Sequence, residues 1–260
     1  MSPVQLNALH RGLPQVEAPT VILLHGLFGS AANLGMVARG LQDSFCIYSL
    51  DLRNHGLSPR SDSMSYTEMA ADVLGFMDSR GLAGAAVLGH SMGGKVAMQL
   101  ALDAPERVAK LVVADIAPVA YQHDHDHVLD GLAAVEDAGV TNRREADAIL
   151  ARYEAEPGVR AFLLKSLKQG PDGHWHWLIN REAIDANYGR LAEGTYGEPW
   201  PGPALFIRGS ESAYVRESHR EATLALFPNA TLKTIEDTGH WLHAEKPQVF
   251  NSLVSRFLAG

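Results

Sequence analysis

Ser91 stands at the centre of the pentapeptide Gly89-His-Ser-Met-Gly93, between the apolar run Ala85–Leu88 and a helical pattern that begins near Gly94. A Gly-x-Ser-x-Gly sequence at a strand-to-helix junction is typical of a sharp turn that lifts a serine hydroxyl clear of a sheet. The flanking glycines lack a Cβ, so the strand and the helix can approach closely there. We therefore predict that Ser91 is a nucleophile for acyl transfer.

A serine nucleophile needs a base, and His240 lies in Asp237-Thr-Gly-His-Trp241, shortly after the strand candidate Thr231–Ile235. The carboxyl ends of parallel strands meet at one edge of a sheet, where ligand sites form. A neutral imidazole at that edge can accept the Ser91 proton and later return it to a leaving group. The sequence therefore predicts His240 as the base.

Two positions compete for the buried carboxylate that would orient the imidazole. Asp115 ends the apolar run Leu111–Ala114, whereas many hydrolases of this type place the acid in the loop after the next strand. In this chain Ser212 occupies that second position and cannot supply a negative charge. The pattern therefore favours Asp115, with Glu211 as the alternative.

Acyl transfer also needs donors for the oxyanion that develops on the carbonyl oxygen. Met92 offers a backbone N–H at the start of the helix after the nucleophile, and Leu27 offers a second N–H from the loop His25–Ser30. We predict these two groups as the oxyanion hole. Four side chains are predicted to line the substrate pocket, namely Phe28, His125, Tyr214 and Trp241.

The run His123-Asp-His-Asp-His127 contains good metal ligands, but alternating residues of an extended chain point to opposite sides. We interpret it as a solvated helix start, with His125 at the mouth of the site, and predict no metal. Gly93-Gly-Lys95 lacks the other residues of a phosphate-binding loop. We predict no cofactor.

The elements that must position these groups alternate along the chain as short apolar runs and helical patterns, which indicates an α/β fold with a mostly parallel sheet flanked by helices. The predicted strands are Val4–Leu9, Thr20–Leu24, Phe45–Leu50, Ala85–Leu88, Lys110–Ala114, Pro203–Ile207 and Thr231–Ile235. The predicted helices of this core are Tyr66–Ser79, Gly93–Asp103, Arg216–Phe227 and Pro247–Leu258.

The alternation breaks between Pro118 and Pro201, where the period is helical and no strong strand is evident. The predicted helices there are Val128–Ala138, Asn142–Glu156 and Val159–Leu167. A connection of this length without structure of its own would be unusual in a compact domain. We therefore predict a core formed by residues 1–117 and 199–260, with residues 118–198 inserted as a helical cap.

The composition limits the partners. The formal net charge is −8 and no basic stripe is present, which argues against nucleic acid as a partner. No apolar run approaches the roughly 20 residues that span a bilayer, and the first residues lack the pattern of a signal peptide. We expect a cytoplasmic protein that acts on a small molecule. The sequence leaves its oligomeric state open.

Taken together, these motifs resemble the α/β-hydrolase superfamily, and several longer stretches resemble its YbfF-like acyl esterases. Those stretches are His25–Leu34, Asp51–Pro59, Gly89–Lys95, Asp115–Val119, Phe162–Ser166 and Gly239–Pro247. Members of this subgroup are similar in placing the acid after the sixth strand, which agrees with Asp115. The resemblance implies a serine esterase or thioesterase that acts on acyl esters or acyl-CoA under a small helical cap.

The expected function is therefore hydrolysis of short-to-medium acyl esters, or of thioesters, through an acyl-enzyme. The same three residues could also serve lactone or carbon–carbon bond hydrolysis or cofactor-free perhydrolysis, which differ in the cap and the pocket. A binding protein on the same fold is disfavoured because it has no need of Ser91, Asp115 and His240 together. Hydrolases with an aspartate nucleophile are disfavoured because this chain has Ser91 at that position.

Overall fold

The fold was obtained as a computed structural model, which describes residues 3–122 and 125–260. The strands in these ranges are β1 (Ala8–Gly12), β2 (Thr20–Leu24), β3 (Cys46–Leu50), β4 (Ala85–His90), β5 (Val108–Ala114), β6 (Leu167–Gln169), β7 (Trp175–Trp177), β8 (Ala204–Gly209) and β9 (Ala230–Ile235). The α-helices are α1 (Gly35–Leu41), α2 (Tyr66–Ser79), α3 (Met92–Asp103), α4 (Asp126–Asp137), α5 (Arg143–Leu150), α6 (Pro157–Leu163), α7 (Arg181–Ala186), α8 (Tyr188–Ala192), α9 (Arg220–Leu226), α10 (Leu242–Glu245) and α11 (Pro247–Ala259).

Seven strands form one sheet in the order β1-β3-β2-β4-β5-β8-β9, in which β1 is antiparallel to β3 and the other pairs are parallel. All five residues of β2 and of β3 are buried, as expected for strands covered by helices on both faces. The sheet therefore confirms the predicted fold class and places the ends of β4, β5 and β9 at one edge.

Side chains of the strands alternate between two apolar clusters, one on each face of the sheet. In β2, Ile22 and Leu24 belong to the cluster that includes α2 and α3, whereas Val21 and Leu23 belong to the cluster that includes α1 and α11. The start of α2 is fixed by Ser65, whose hydroxyl accepts a hydrogen bond from the N–H of Glu68 at 3.3 Å. Helices thus cover both faces of the sheet, and the residues predicted for the site lie at its edge.

Between β5 and β8, the chain forms α4 to α8 and an antiparallel hairpin of β6 and β7. We call residues 118–198 the cap segment. The sequence predicted no strong strand in this segment, and the structure adds a short hairpin in which Leu167 pairs with Trp177 and Gln169 with Trp175. The assignment of this segment as a domain between core parts 1–117 and 199–260 stays a prediction.

Several element boundaries differ from those predicted. The first strand begins at Ala8 rather than Val4, because its pairing with β3 extends only from Ala8 to Gly12. The helix expected from Arg216 begins at Arg220, after a 3₁₀ turn at Glu217–His219. No helix within the described residues is long and apolar enough to cross a membrane.

Candidate active site

The nucleophile turn connects β4 to α3, and Ser91 stands in it with φ 53° and ψ −122°. Its N–H donates to the carbonyl of Ala114 at 3.0 Å. A Cβ on Gly89 would lie 2.0 Å from the carbonyl oxygen of Gly93, and a Cβ on Gly93 would lie 2.3 Å from that of Leu24. Only glycine fits at either position, so the motif holds Ser91 in a strained conformation at the start of α3.

His240, in the loop after β9, lies between Ser91 and Asp115. Its Nε2 is 3.0 Å from Ser91 Oγ, and its Nδ1 is 2.8 Å from Asp115 Oδ2. Because a carboxylate only accepts, we assign the proton to Nδ1, which leaves Nε2 to accept from the Ser91 hydroxyl. The arrangement can therefore pass the serine proton to an imidazole whose charged form is stabilised by a carboxylate.

Asp115 follows β5, is fully buried, and has a positive φ of 53°. Its Oδ1 accepts the N–H of Gly209 at 3.1 Å, and its Oδ2 accepts the hydroxyl of Ser212. Ser212, at the position where many hydrolases of this type have the acid, thus donates a hydrogen bond to Asp115. Glu211 is exposed, and its backbone N–H donates to the carbonyl of Thr238. The structure thus brings Asp115 to His240.

The loop after β2 carries Leu27 and Phe28. The N–H of Phe28 donates to His55 Nε2 at 3.1 Å and is thereby occupied. None of the hydrogen bonds among the described residues uses the N–H of Leu27. The N–H of Met92 is the first of α3 and has no partner within that helix. Leu27 and Met92 line the same cavity as Ser91, and the role of their N–H groups as the oxyanion hole stays a prediction.

Two buried histidines, His25 and His55, form hydrogen bonds that fix the loop after β2. His25 donates from Nδ1 to the carbonyl of Gly26 at 2.8 Å and accepts at Nε2 from the N–H of Leu52 at 3.0 Å. His55 donates from Nδ1 to the carbonyl of Arg53 at 2.9 Å. Burial lowers the pKa of His25, and it lowers the pKa of His55 to about 3. Both rings are therefore neutral, as their accepting nitrogens require.

Two further histidines pack next to the base, since His90 contacts His240 and His243 contacts His90, and sequence reasoning missed both contacts. His90 donates from Nε2 to the backbone carbonyl of His240 at 2.8 Å, and the two ring centres are 4.7 Å apart. His243 packs on the other side of His90, with ring centres 4.5 Å apart. Burial lowers the pKa of His90 well below its usual value and that of His243 to about 4. No local signal identifies these contacts, because they join residues about 150 positions apart in the chain.

Ser91 and His240 face a cavity of about 890 Å³. The tyrosine ring of Tyr214 stacks on His240 with ring centres 4.2 Å apart, and Trp241 lies 5.6 Å from Phe162 of α6. All four side chains predicted for the pocket line this cavity, namely Phe28, His125, Tyr214 and Trp241. Their contact with a substrate stays a prediction.

The histidine-rich run is only partly described, since His123 and Asp124 lie outside the described residues. His125 borders the cavity and forms a hydrogen bond with the hydroxyl of Tyr188. His127 lies 3.3 Å from a carboxylate oxygen of Glu154, on the exposed side of α4. In the part of the chain that the structure describes, no three metal-binding side chains come together.

Lys95 is a buried cation that the sequence did not single out. It stands one turn after Ser91 on α3, and its Nζ donates to the backbone carbonyl of Glu193 at the end of the cap segment. The ammonium lies 4.7 Å from the ring centre of Tyr121 and 5.3 Å from that of Tyr66. Burial lowers the pKa of Lys95 to about 7. The spacing of four residues between Ser91 and Lys95 could have indicated that Lys95 lies near the site, because residues four apart share a helix face.

Comparison with known proteins places this geometry in a family. A family model described as alpha/beta hydrolase fold matches residues 19–149. The chain is 41% identical over 239 residues to Esterase YbfF of Escherichia coli strain K12, which covers 92% of each chain. It is 37% identical over 251 residues to the mouse protein "sn-1-specific diacylglycerol lipase ABHD11", covering 93% of this chain and 81% of the relative.

A solved structure titled "Marine microorganism esterase" superposes with a TM-score of 0.94 and 37% sequence identity. The superposition covers 98% of this chain and 99% of that one. The whole sheet and the cap segment are therefore shared with a known esterase structure. From the family match and these relatives together, the chain belongs to the alpha/beta hydrolase family.

Proposed function

We propose that this protein is a serine carboxylesterase that hydrolyses short-to-medium acyl esters through an acyl-enzyme, and that it also accepts thioesters. The observation that carries this proposal is the chain of contacts from Ser91 Oγ through His240 to Asp115, with separations of 3.0 and 2.8 Å. Membership of the family and relatives named as esterases and a lipase support an ester-bond hydrolase. No cofactor is needed for this chemistry.

In the first half of the reaction, Ser91 Oγ attacks the acyl carbonyl carbon while its proton passes to His240 Nε2. The negative charge then lies on the former carbonyl oxygen. The N–H groups of Leu27 and Met92 are the donors that would hold it, and each such donor lowers a barrier by roughly 3 kcal/mol. Asp115 stabilises the imidazolium that His240 becomes.

The tetrahedral intermediate collapses when the bond from carbon to the leaving oxygen or sulfur breaks. His240 Nε2 returns its proton to that atom, and the acyl group stays on Ser91. In the second half, water gives a proton to His240 and its oxygen attacks the acyl carbon. Collapse of this second intermediate releases the carboxylic acid and restores the Ser91 hydroxyl.

The cap segment has a natural role in this proposal as the wall that excludes water and sets acyl length. Phe162 of α6 contacts Trp241, the residue after the base, so the cap segment meets the catalytic edge directly. Tyr188 of α8 borders the same cavity from the other side. We therefore propose residues 118–198 as a cap domain over a core built from 1–117 and 199–260.

The test is hydrolysis of p-nitrophenyl esters with acyl chains of two to sixteen carbons, with wild type beside Ser91→Ala. We expect activity that peaks at short-to-medium chains and falls on the order of 10³-fold or more in Ser91→Ala. A wild type that is inert on every chain length would contradict the proposed function. An active Ser91→Ala enzyme would assign the chemistry to another residue.

A further inference from the structure

A second cavity of about 600 Å³ lies beside the first, between the loop after β2 and the hairpin of the cap segment. Ser30 borders it from the loop, and Lys168 and Leu178 border it from the cap segment. The residues that line both cavities are Asn33, Lys165, His243 and Ala244. The two cavities thus adjoin, and the second is within reach of a molecule bound at the first.

The residues that line both cavities form the junction between them, and this junction lies on the side of the catalytic base. His243 and Ala244 belong to α10, which follows the loop that carries His240. In the proposed reaction His240 protonates the leaving atom, so the alcohol part of the ester must lie against this side. The second cavity is therefore placed to receive the alcohol part rather than the acyl chain.

The lining of the second cavity is cationic, although the protein carries a formal net charge of −8. Arg39, Lys165 and Lys168 are exposed, and none of them forms an ion pair with another described residue. The one carboxylate of the lining is Asp51, which is buried. Its oxygens already accept hydrogen bonds from the loops around it. Cations left unneutralised on an acidic protein attract an anion.

A polar atom at the junction also lacks a partner. His243 is 5% exposed and lines both cavities, and its Nδ1 has no hydrogen-bond partner among the described residues. This nitrogen is itself buried, so it adds no contact for a ligand in the second cavity. Met36 and Leu57, both exposed, add apolar surface to the same cavity.

We propose that the second cavity is the subsite for the alcohol part of the ester, and that it takes an alcohol carrying an anionic group such as a carboxylate, sulfonate or phosphate. The anion lies among Arg39, Lys165 and Lys168. The body of the alcohol contacts Met36 and Leu57. This inference rests on the proposed function, because it assumes that Ser91 and His240 cleave the ester.

The test compares two butanoyl esters whose leaving groups are similar in size but differ in charge, 3-(butanoyloxy)benzoate and 3-(butanoyloxy)benzamide. The measured quantity is the ratio of kcat/KM for the anionic ester to kcat/KM for the neutral ester. We expect wild type to favour the anion, and the triple variant Arg39→Gln, Lys165→Gln, Lys168→Gln to lower the ratio about tenfold. Lys168→Gln alone should shift it in the same direction, and added salt should lower it in wild type.

A matched control removes three exposed cations that line neither cavity, in the variant Arg144→Gln, Arg152→Gln, Lys233→Gln. We expect its ratio to equal that of wild type. A second pair puts the charge on the acyl end, with mono-p-nitrophenyl glutarate and p-nitrophenyl pentanoate. The cavity-lining triple variant should leave the ratio of this pair nearly unchanged, because the acyl chain lies away from the second cavity.

Three results would overturn the subsite. The first is a ratio that does not respond to the cavity-lining variant, and the second is an equal fall for both ester pairs. The third is an unchanged ratio with lost binding to phosphatidylglycerol vesicles, which would assign the cations to a lipid surface. A wild type inert on both butanoyl esters would instead contradict the proposed function itself.

Discussion

The core and the cap segment differ in which residues have a positive φ angle. Five described residues other than glycine have a positive φ, and all belong to the core: Phe28, Asn54, Ser91, Asp115 and Asp237. In the cap segment, the described residues with a positive φ are glycines: Gly139, Gly173 and Gly197. Strained conformations persist only where the surrounding structure enforces them. The strained residues thus lie in the core, three of them in the loops that carry Ser91, Asp115 and His240, whereas the cap segment contains none other than glycine among its described residues.

If the residues at the sheet edge carry out the reaction, the loss of the Asp115 charge should have the largest effect on kcat. Asp115→Asn keeps the shape of the side chain but removes its charge and allows the wrong imidazole tautomer. We expect kcat on p-nitrophenyl butyrate to fall on the order of 10⁴-fold. The paired change Glu211→Gln, at the alternative acid that the sequence offered, should leave kcat close to wild type because Glu211 is exposed. A larger loss in Glu211→Gln than in Asp115→Asn would reverse the assignment.

Glycine substitutions compare the packing of the two regions. Gly93→Ala would place a Cβ 2.3 Å from the carbonyl oxygen of Leu24, whereas a Cβ on Gly189 of α8 meets nothing within 4 Å. We expect Gly93→Ala to lower the free energy of unfolding by about 3 kcal/mol or more. Gly189→Ala should raise it by roughly 0.5 kcal/mol, because alanine favours the helix. Urea unfolding measures both, and equal effects would remove the contrast between the regions.

The buried histidines predict a pH dependence of stability at the edge. Burial among His90, His240, Lys165 and Phe250 lowers the pKa of His243 from 6.5 to about 4. The unfolded chain therefore binds this proton first as pH falls. The contribution of His243 to stability is complete above pH 6.5 and is lost as pH falls towards 4, by roughly 3 kcal/mol.

His243→Phe keeps an aromatic ring and removes the proton site. We expect the free energy of unfolding of this variant to fall less steeply between pH 6.5 and pH 4.5 than that of wild type. Urea unfolding at several pH values measures the two slopes. Parallel slopes would contradict the lowered pKa of His243, because they would show that folding does not change its protonation.

The smallest effect is expected where the cap segment meets the edge. Phe162→Ala removes the ring that packs 5.6 Å from Trp241 and so enlarges the cavity without touching Ser91 or His240. We expect a loss of kcat/KM that grows with acyl length and reaches about tenfold for medium chains. A uniform loss for all chain lengths would instead mean that Phe162 positions Trp241 and the base.

The difference between the two regions also explains what the sequence could predict. Ser91, Asp115 and His240 each follow a strand, and parallel pairing brings the ends of those strands to one edge. Their approach was therefore predictable from local patterns alone. The surroundings of Lys95 and His243 were not predictable in this way, because they depend on Tyr121, Glu193 and His90 from distant elements. Spacing alone indicated only that Lys95 shares a helix face with Ser91.

The cap segment was predictable as mostly helical, but the lengths of its elements were not. Its helices are shorter than their patterns indicated, as α5 ends at Leu150 and α6 at Leu163. The hairpin of β6 and β7 has only three residues in each strand, too few for a period of two to be recognised. Tertiary packing against the core therefore decides the ends of these elements.

The central claim is that Ser91 is an activated nucleophile, and covalent labelling tests it most directly. The protein would be treated with a fluorophosphonate ester and digested, and the modified residue located by mass spectrometry, with His240→Ala as the control. We predict a single adduct on Ser91 in wild type, and labelling slowed by at least about 10²-fold in His240→Ala. Unlabelled wild type, or an adduct on a different residue, would contradict the account.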